Sequence, residues 1–220
     1  MEPRETNTTP VRRWPEQEIE MAEIDAKMVG ALRKRTGAPM MDCKEALIES
    51  GGDMEKAVDI LRKKGLKAAD ARGEREATEG RVFSYVHHNG KLGVLVELGC
   101  ETDFVARNEE FNAFGRDLCL HVAAFRPRYL DASAVPAQEV ERERAIVLEQ
   151  TRTQMAGRPD DVIQKAVDGR MQKFFAEQCL VDQPWVHDDK KSVGTVVKEF
   201  AGKIGENIRL RRFSRMELGG

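Results

Sequence analysis

Apolar positions recur at helical spacing from Ile24 onward: Ile24, Met28, Ala31 and Leu32 share one face, and the pattern stops before Thr36-Gly37-Ala38-Pro39. A second short helix follows, with Asp42 as its expected cap and Cys43, Ala46 and Leu47 on one side. Gly51-Gly52 ends it. Asp53 is placed to cap a third helix that turns Met54, Val58 and Leu61 inward and is expected to stop at Gly65. The period then changes to two. Val82, Phe83, Tyr85 and Val86 lie in an expected strand from Arg81 to His88, and Leu92, Val94, Val96 and Leu98 alternate in a second, up to Gly99. Asn89-Gly90 between them predicts a hairpin turn with both residues at positive φ. Helical spacing returns in Phe111, Phe114, Leu118, Val122 and Phe125 and stops at Pro127. Two further helices, about 136–155 and 160–180, flank Gly157-Arg158-Pro159, and this short turn predicts that they are antiparallel. A last helix carries Val193, Val196, Val197, Phe200 and Ile204. A closing strand, Asn207 to Met216, would pair with the hairpin.

The predicted class is α+β: an N-terminal three-helix, ubiquitin-associated-like bundle followed by a three-stranded antiparallel sheet packed with helices. Residues 1–20 read as a flexible tail, because Thr6 to Pro10 and Trp14-Pro15 interrupt any apolar stripe. Residues 21–65 form the helical domain, and 66–80 a charged linker. Residues 81–220 are the α+β core domain, the expected dimerisation domain. From Arg62 to Arg75 six residues are basic and two acidic, which reads as a solvated connector or as a strip touching an acidic partner.

Composition narrows the function. The chain has 220 residues, 36 basic and 38 acidic, for a net charge of -2. No apolar run is long enough to span a bilayer, and the first residues carry no apolar leader pattern. Cys43, Cys100, Cys119 and Cys179 form no Cys-x-x-Cys pair. The expectation is a cytoplasmic protein with reduced thiols, no metal centre and no cofactor. No phosphate-binding glycine loop is present. His87 and His88 are adjacent in an expected strand and would point to opposite faces. His121 lies beside an apolar helix face, and His187 in an expected polar loop. Cys100 as a nucleophile lacks an oxyanion loop and an orienting carboxylate.

Cys100 to Asn108 follows a buried strand and precedes a helix. Glu101, Thr102 and Asp103 are turn formers, which sets Phe104 at a loop tip or helix start. The ring either tucks back onto the core or projects as an aromatic anchor for a partner pocket.

Three stretches resemble the bacterial elongation factor Ts family: Leu32 to Leu47, with Arg33 and Met40-Met41-Asp42-Cys43; Glu101-Thr102-Asp103-Phe104-Val105-Ala106-Arg107-Asn108; and Lys203 to Phe213, with Gly205-Glu206-Asn207-Ile208. They stand in the family's order between about Ile24 and Leu218. Pro39 stands where the family more often has Gly, and the length is that of its compact form. The resemblance implies a guanine-nucleotide exchange factor, not an enzyme, that binds elongation factor Tu in its GDP-bound and nucleotide-free states. It implies that Thr102, Asp103, Phe104 and Val105 disturb the partner's Mg²⁺ site. It also implies that Leu32, Arg33, Met40 and Met41 make a second contact, although one Met of the pair would also serve as bundle packing. Two compact chains are expected to associate as a homodimer, with no membrane and no direct nucleic-acid partner. Three other readings stay open: a ubiquitin-associated-like binding module, an enzyme using Cys100, and an RNA binder using the basic stretch from Lys198 to Arg215.

Overall fold

The computed structural model describes residues 24–219. The expected tail, residues 1–20, lies outside them. The chain folds as two compact units, one up to Leu61 and one from Arg62 onward.

In the first unit, α1 (Ala26–Thr36), α2 (Met40–Glu49) and the opening of α3 (Met54–Arg72) enclose Val29, Leu32, Cys43, Ala46, Leu47, Ala57 and Leu61. Asp25 caps α1 by accepting from the Lys27 amide. Gly37, at φ 71°, turns the chain out of the helix. Arg33, Lys34 and Arg35 lie in the last turn, where cations oppose the helix dipole. Asp53 accepts from the Glu55 and Lys56 amides, as its position before α3 predicts. The expected cap of α2 is corrected: Pro39 holds the N-cap position and Asp42 sits inside the first turn. Proline presets the φ needed there and leaves no amide to satisfy.

The expected stop at Gly65 is also corrected. α3 continues to Arg72, so the stretch read as a connector over 66–80 holds the end of this helix and the start of a strand. A glycine inside a helix costs only about 1 kcal/mol relative to alanine, which packing readily outweighs. Here Ala69 is buried in the core of the second unit. Gly65 also lies under α8 (Val193–Ile204), where a Cβ on Gly202 would stand 2.8 Å from the Gly65 carbonyl oxygen.

The second unit is built on β1 (Glu79–Val86), β2 (Leu92–Cys100) and β5 (Arg209–Glu217), an antiparallel sheet in the order β1-β2-β5. Phe83, Val94, Val96 and Leu98 are buried with Phe111, Phe114, Leu118 and Val122 of α5 (Glu109–Phe125). Phe125, expected on the same buried face, is partly exposed and stacks on His121. In β5 the alternation that begins with Ile208 and Leu210 shifts at a bulge opposite Glu97/Leu98, after which Phe213 and Arg215 lie opposite the buried Val96 and Val94. The hairpin turn differs from the expected type. Only Gly90 has positive φ; the Gly90 amide donates to the His87 carbonyl and the His87 amide to that of Leu92. A four-residue connection with one left-handed glycine replaces the two-residue turn. His87 and His88 therefore lie in the turn, with ring centroids 4.2 Å apart, rather than on opposite faces of a strand.

α6 (Ala137–Gln154) and α7 (Asp160–Gln178) pair around Val147, Ile163, Val167 and Met171. Pro184–Trp185 (β3) and Asp188–Ser192 (β4) form a small hairpin that places His187 in its turn rather than in a free loop. Among the described residues no helix is long and apolar enough to cross a membrane.

Candidate functional site

The turn after β2 is held by two successive caps. Thr102, in extended conformation, accepts from the Val105 amide at 3.3 Å and opens the single-turn α4 (Asp103–Ala106). Asn108 accepts from the Glu110 amide at 2.8 Å and opens α5. Within α4, Val105 and Ala106 turn toward the core. Successive helical residues are about 100° apart, so Phe104 faces away from Ala106. Phe104 is 81% exposed. The reading in which its ring tucks onto the core is thereby corrected. Asp103 is half-buried and pairs with Arg107 at 3.0 Å.

The turn is anchored from a distant part of the sequence. Gly205, at φ 86°, ends α8 and brings Glu206 under residues 101–102. The Glu206 carboxylate accepts from the Glu101 amide at 3.0 Å, the Thr102 amide at 3.1 Å and the Thr102 hydroxyl at 2.6 Å. Glu101 answers by accepting from the Asn207 amide at 2.6 Å. The buried Asn207 side chain donates to the carbonyls of Gly73 and Arg75. No role for Glu101, Glu206 or Asn207 was legible from local pattern, although the last two sit inside the Lys203–Phe213 stretch.

In the first unit Arg33, Met40 and Met41 are exposed, the methionines by 54% and 66%. Leu32 is completely buried in the bundle core, so its expected surface contact is corrected. Hydrophobic spacing marked Leu32 as an inward position on α1; the motif alone put it with its exposed neighbours.

Two other chemistries lose their basis. The Cys100 thiol is buried and donates to the Thr102 carbonyl at 3.1 Å. Burial, with the Glu206 carboxylate nearby, pushes its pKa up to about 11, the opposite of an activated nucleophile. Each cation of the basic stretch has a partner. Lys198 pairs with Asp70, Lys203 with Glu110, Arg211 and Arg212 with Glu97, and Arg215 with Glu217, while Arg209 donates to the Gly73 carbonyl. Five of these six cations already face a carboxylate, which weakens the case for a phosphate-binding strip.

The family model described as elongation factor TS matches residues 59–219. The chain is 49% identical over 199 residues to the elongation factor Ts of Desulforamulus reducens, covering 90% of this chain and 91% of that protein. It is 51% identical over 199 residues to that of Anaeromyxobacter dehalogenans, covering 90% of each. With the factor of Fervidobacterium nodosum it shares 48% identity over 197 residues, 90% of this chain and 99% of the relative. These matches put the chain among the translation elongation factors of protein biosynthesis. It belongs to the elongation factor Ts family.

Proposed function

We propose that this chain is a cytoplasmic guanine-nucleotide exchange factor that binds elongation factor Tu and promotes release of its GDP. The observation that carries the reading is Phe104, an aromatic ring held out in solvent on a doubly capped turn. Burying such a ring in a partner's apolar pocket gains about 2 kcal/mol or more. In this reading the Thr102-Asp103-Phe104-Val105 turn engages the GTPase beside its Mg²⁺ site, with the ring as anchor and Asp103 as a charge near the ion. Thr102 and Val105 act from below, as the cap and the core contact that hold the turn. Met40, Met41 and Arg33 supply a second contact through adaptable thioethers and a cation.

Exchange needs no bond chemistry from the factor. A GTPase holds its nucleotide through phosphate contacts and a bridging Mg²⁺. A protein that binds the empty state better than the loaded one lowers nucleotide affinity by the same factor as the nucleotide lowers its own. Each 1.4 kcal/mol of that coupling is about tenfold. Release of fluorescent GDP from elongation factor Tu, followed by stopped flow, tests the proposal. Acceleration that saturates with this chain is expected, and an unchanged rate at saturation refutes it.

We further propose that the chain works as a homodimer joined through its sheet. Val82, Leu95, Val86 and Met216 are exposed on the three paired strands, on the face opposite Phe83, Val94 and Val96. An antiparallel sheet is stable with one face solvated, but that face is normally polar. Here it carries large apolar side chains around Ser84, Gly93 and Ser214, with the Glu97–Arg212 ion pair at one end beside Val82. A second copy offers the same surface and can cover it isologously.

A further inference from the structure

We infer that Glu206 is the positioning residue that holds Phe104 in its projecting conformation. This inference rests on the exchange-factor reading of the 102–105 turn.

A solvent-exposed aromatic ring has no packing to fix it, so its direction is set by the backbone beneath it. A four-residue helix cannot supply that order, since a single helical turn gains too few hydrogen bonds to offset the entropy of fixing it. The order comes from the Glu206 carboxylate, which collects three donors within two residues: the amides of Glu101 and Thr102 and the Thr102 hydroxyl. Bonds to a charged acceptor are the strong kind. The hydroxyl bond has a second effect. Its proton is committed to Glu206 at 2.6 Å, which leaves an oxygen lone pair for the Val105 amide at 3.3 Å. The carboxylate therefore sets the sense of the cap as well as its place.

Glu206 is itself rigidly mounted. It stands between the left-handed Gly205 and Asn207, whose side chain is pinned to the Gly73 and Arg75 carbonyls, and Ile208 is buried in the core. The return bond from the Asn207 amide to Glu101 closes a reciprocal clasp. The C-terminal stretch resembling the family's third motif thus acts through the second.

The isosteric variant Glu206→Gln keeps the shape and removes the charge, leaving an amide NH₂ facing at least one of the donors. It is measured in the full chain by GDP release from elongation factor Tu, alone and combined with Phe104→Ala, and by amide hydrogen exchange. The expected result is release slowed about tenfold, faster exchange at the Glu101, Thr102 and Val105 amides, and an unchanged melting temperature. Because Glu206 acts through the ring, the double variant should release GDP no more slowly than Phe104→Ala. Wild-type release by Glu206→Gln, or defects that multiply in the double variant, overturns the positioning role. Should Phe104→Ala itself release GDP normally, the anchor reading fails, and positioning is judged on the amides alone. Faster exchange confined to the Glu101, Thr102 and Val105 amides then supports the clasp, and wild-type protection there overturns it.

Discussion

The His121 Nε2 and Gln183 Oε1 atoms meet at 3.1 Å inside the second unit, and this contact fixes which proton the imidazole carries. The Gln183 amide nitrogen donates to the Phe125 and Glu177 carbonyls, so its oxygen must face His121 as an acceptor. Nε2 therefore bears the hydrogen. Among the described residues the buried Nδ1 has no partner, and the ring lies nearly parallel to those of Phe125 and Trp185.

Burial lowers the His121 pKa from the usual 6.5, only partly offset by the bond to Gln183, with His187 adding a small repulsion. The folded protein then resists a proton that the unfolded chain accepts. This contribution to stability is intact above about pH 6.5 and is lost as pH falls through the depressed folded value. Melting temperature should fall on acidification from neutral pH. In His121→Gln, less stable at neutral pH, the fall over the same range should be shallower. Every other titratable group is common to both proteins, so the comparison of the two isolates His121. Parallel slopes would show that His121 is not the titrating group.

Phe104→Ala separates binding from stability. The ring is outside the core, so truncation should leave the melt unchanged, where a core phenylalanine would cost about 3–5 kcal/mol. GDP release should slow about tenfold or more, equivalent to a lost contact of roughly 2 kcal/mol. Asp103→Ala removes only a half-exposed pair with Arg107, so it too should melt normally, with a milder exchange defect. A normal rate in a folded Phe104→Ala protein would remove the anchor role.

Much of this fold is written in hydrophobic period. α5, α8 and the β1–β2 pair each repeat an apolar position often enough for the sequence to place them. β4 does not: Asp188-Asp189-Lys190-Lys191-Ser192 has no apolar side chain, and its pairing with Pro184–Trp185 is a backbone matter. The helical continuation through Gly65 is decided by what Ala69 and Gly202 pack against, which no local window contains. The candidate site divides in the same way. Turn chemistry narrowed Phe104 to a tip or a helix start, but its exposure depends on a carboxylate 104 residues away from Thr102. In the first unit the motif grouped Leu32 with Met40 and Met41, whereas helical spacing set Leu32 inside.

That distinction is measurable. Leu32→Ala should empty a filled core position and cost about 2–5 kcal/mol, seen as early loss of helical circular dichroism on heating. Met41→Ala should leave the melt where it is and weaken binding to elongation factor Tu, read by titration calorimetry. A Met41→Ala protein that binds normally would restrict the contact to other side chains of the bundle, and an unaltered melt in Leu32→Ala would contradict its burial.

The sheet face gives the last expectation. Light scattering at micromolar concentration should return about twice the chain mass of 24.8 kDa. Leu95 is central on that face, with Ser84 and Ser214 on either side of it. A lysine there suits a solvated sheet, because its long stem can lie along the strands while the ammonium reaches water. The isolated chain should therefore tolerate Leu95→Lys with little change in its own fold. In a dimer the same ammonium would be trapped opposite its symmetry mate, and two like charges would be desolvated together. Leu95→Lys should then scatter as a monomer with an unchanged circular dichroism spectrum. Ile146→Lys, placed on an exposed position of α6, serves as the control and should remain dimeric. A monomeric wild-type protein would refute the dimer outright. A dimeric Leu95→Lys protein would refute a dimer packed through the centre of this face.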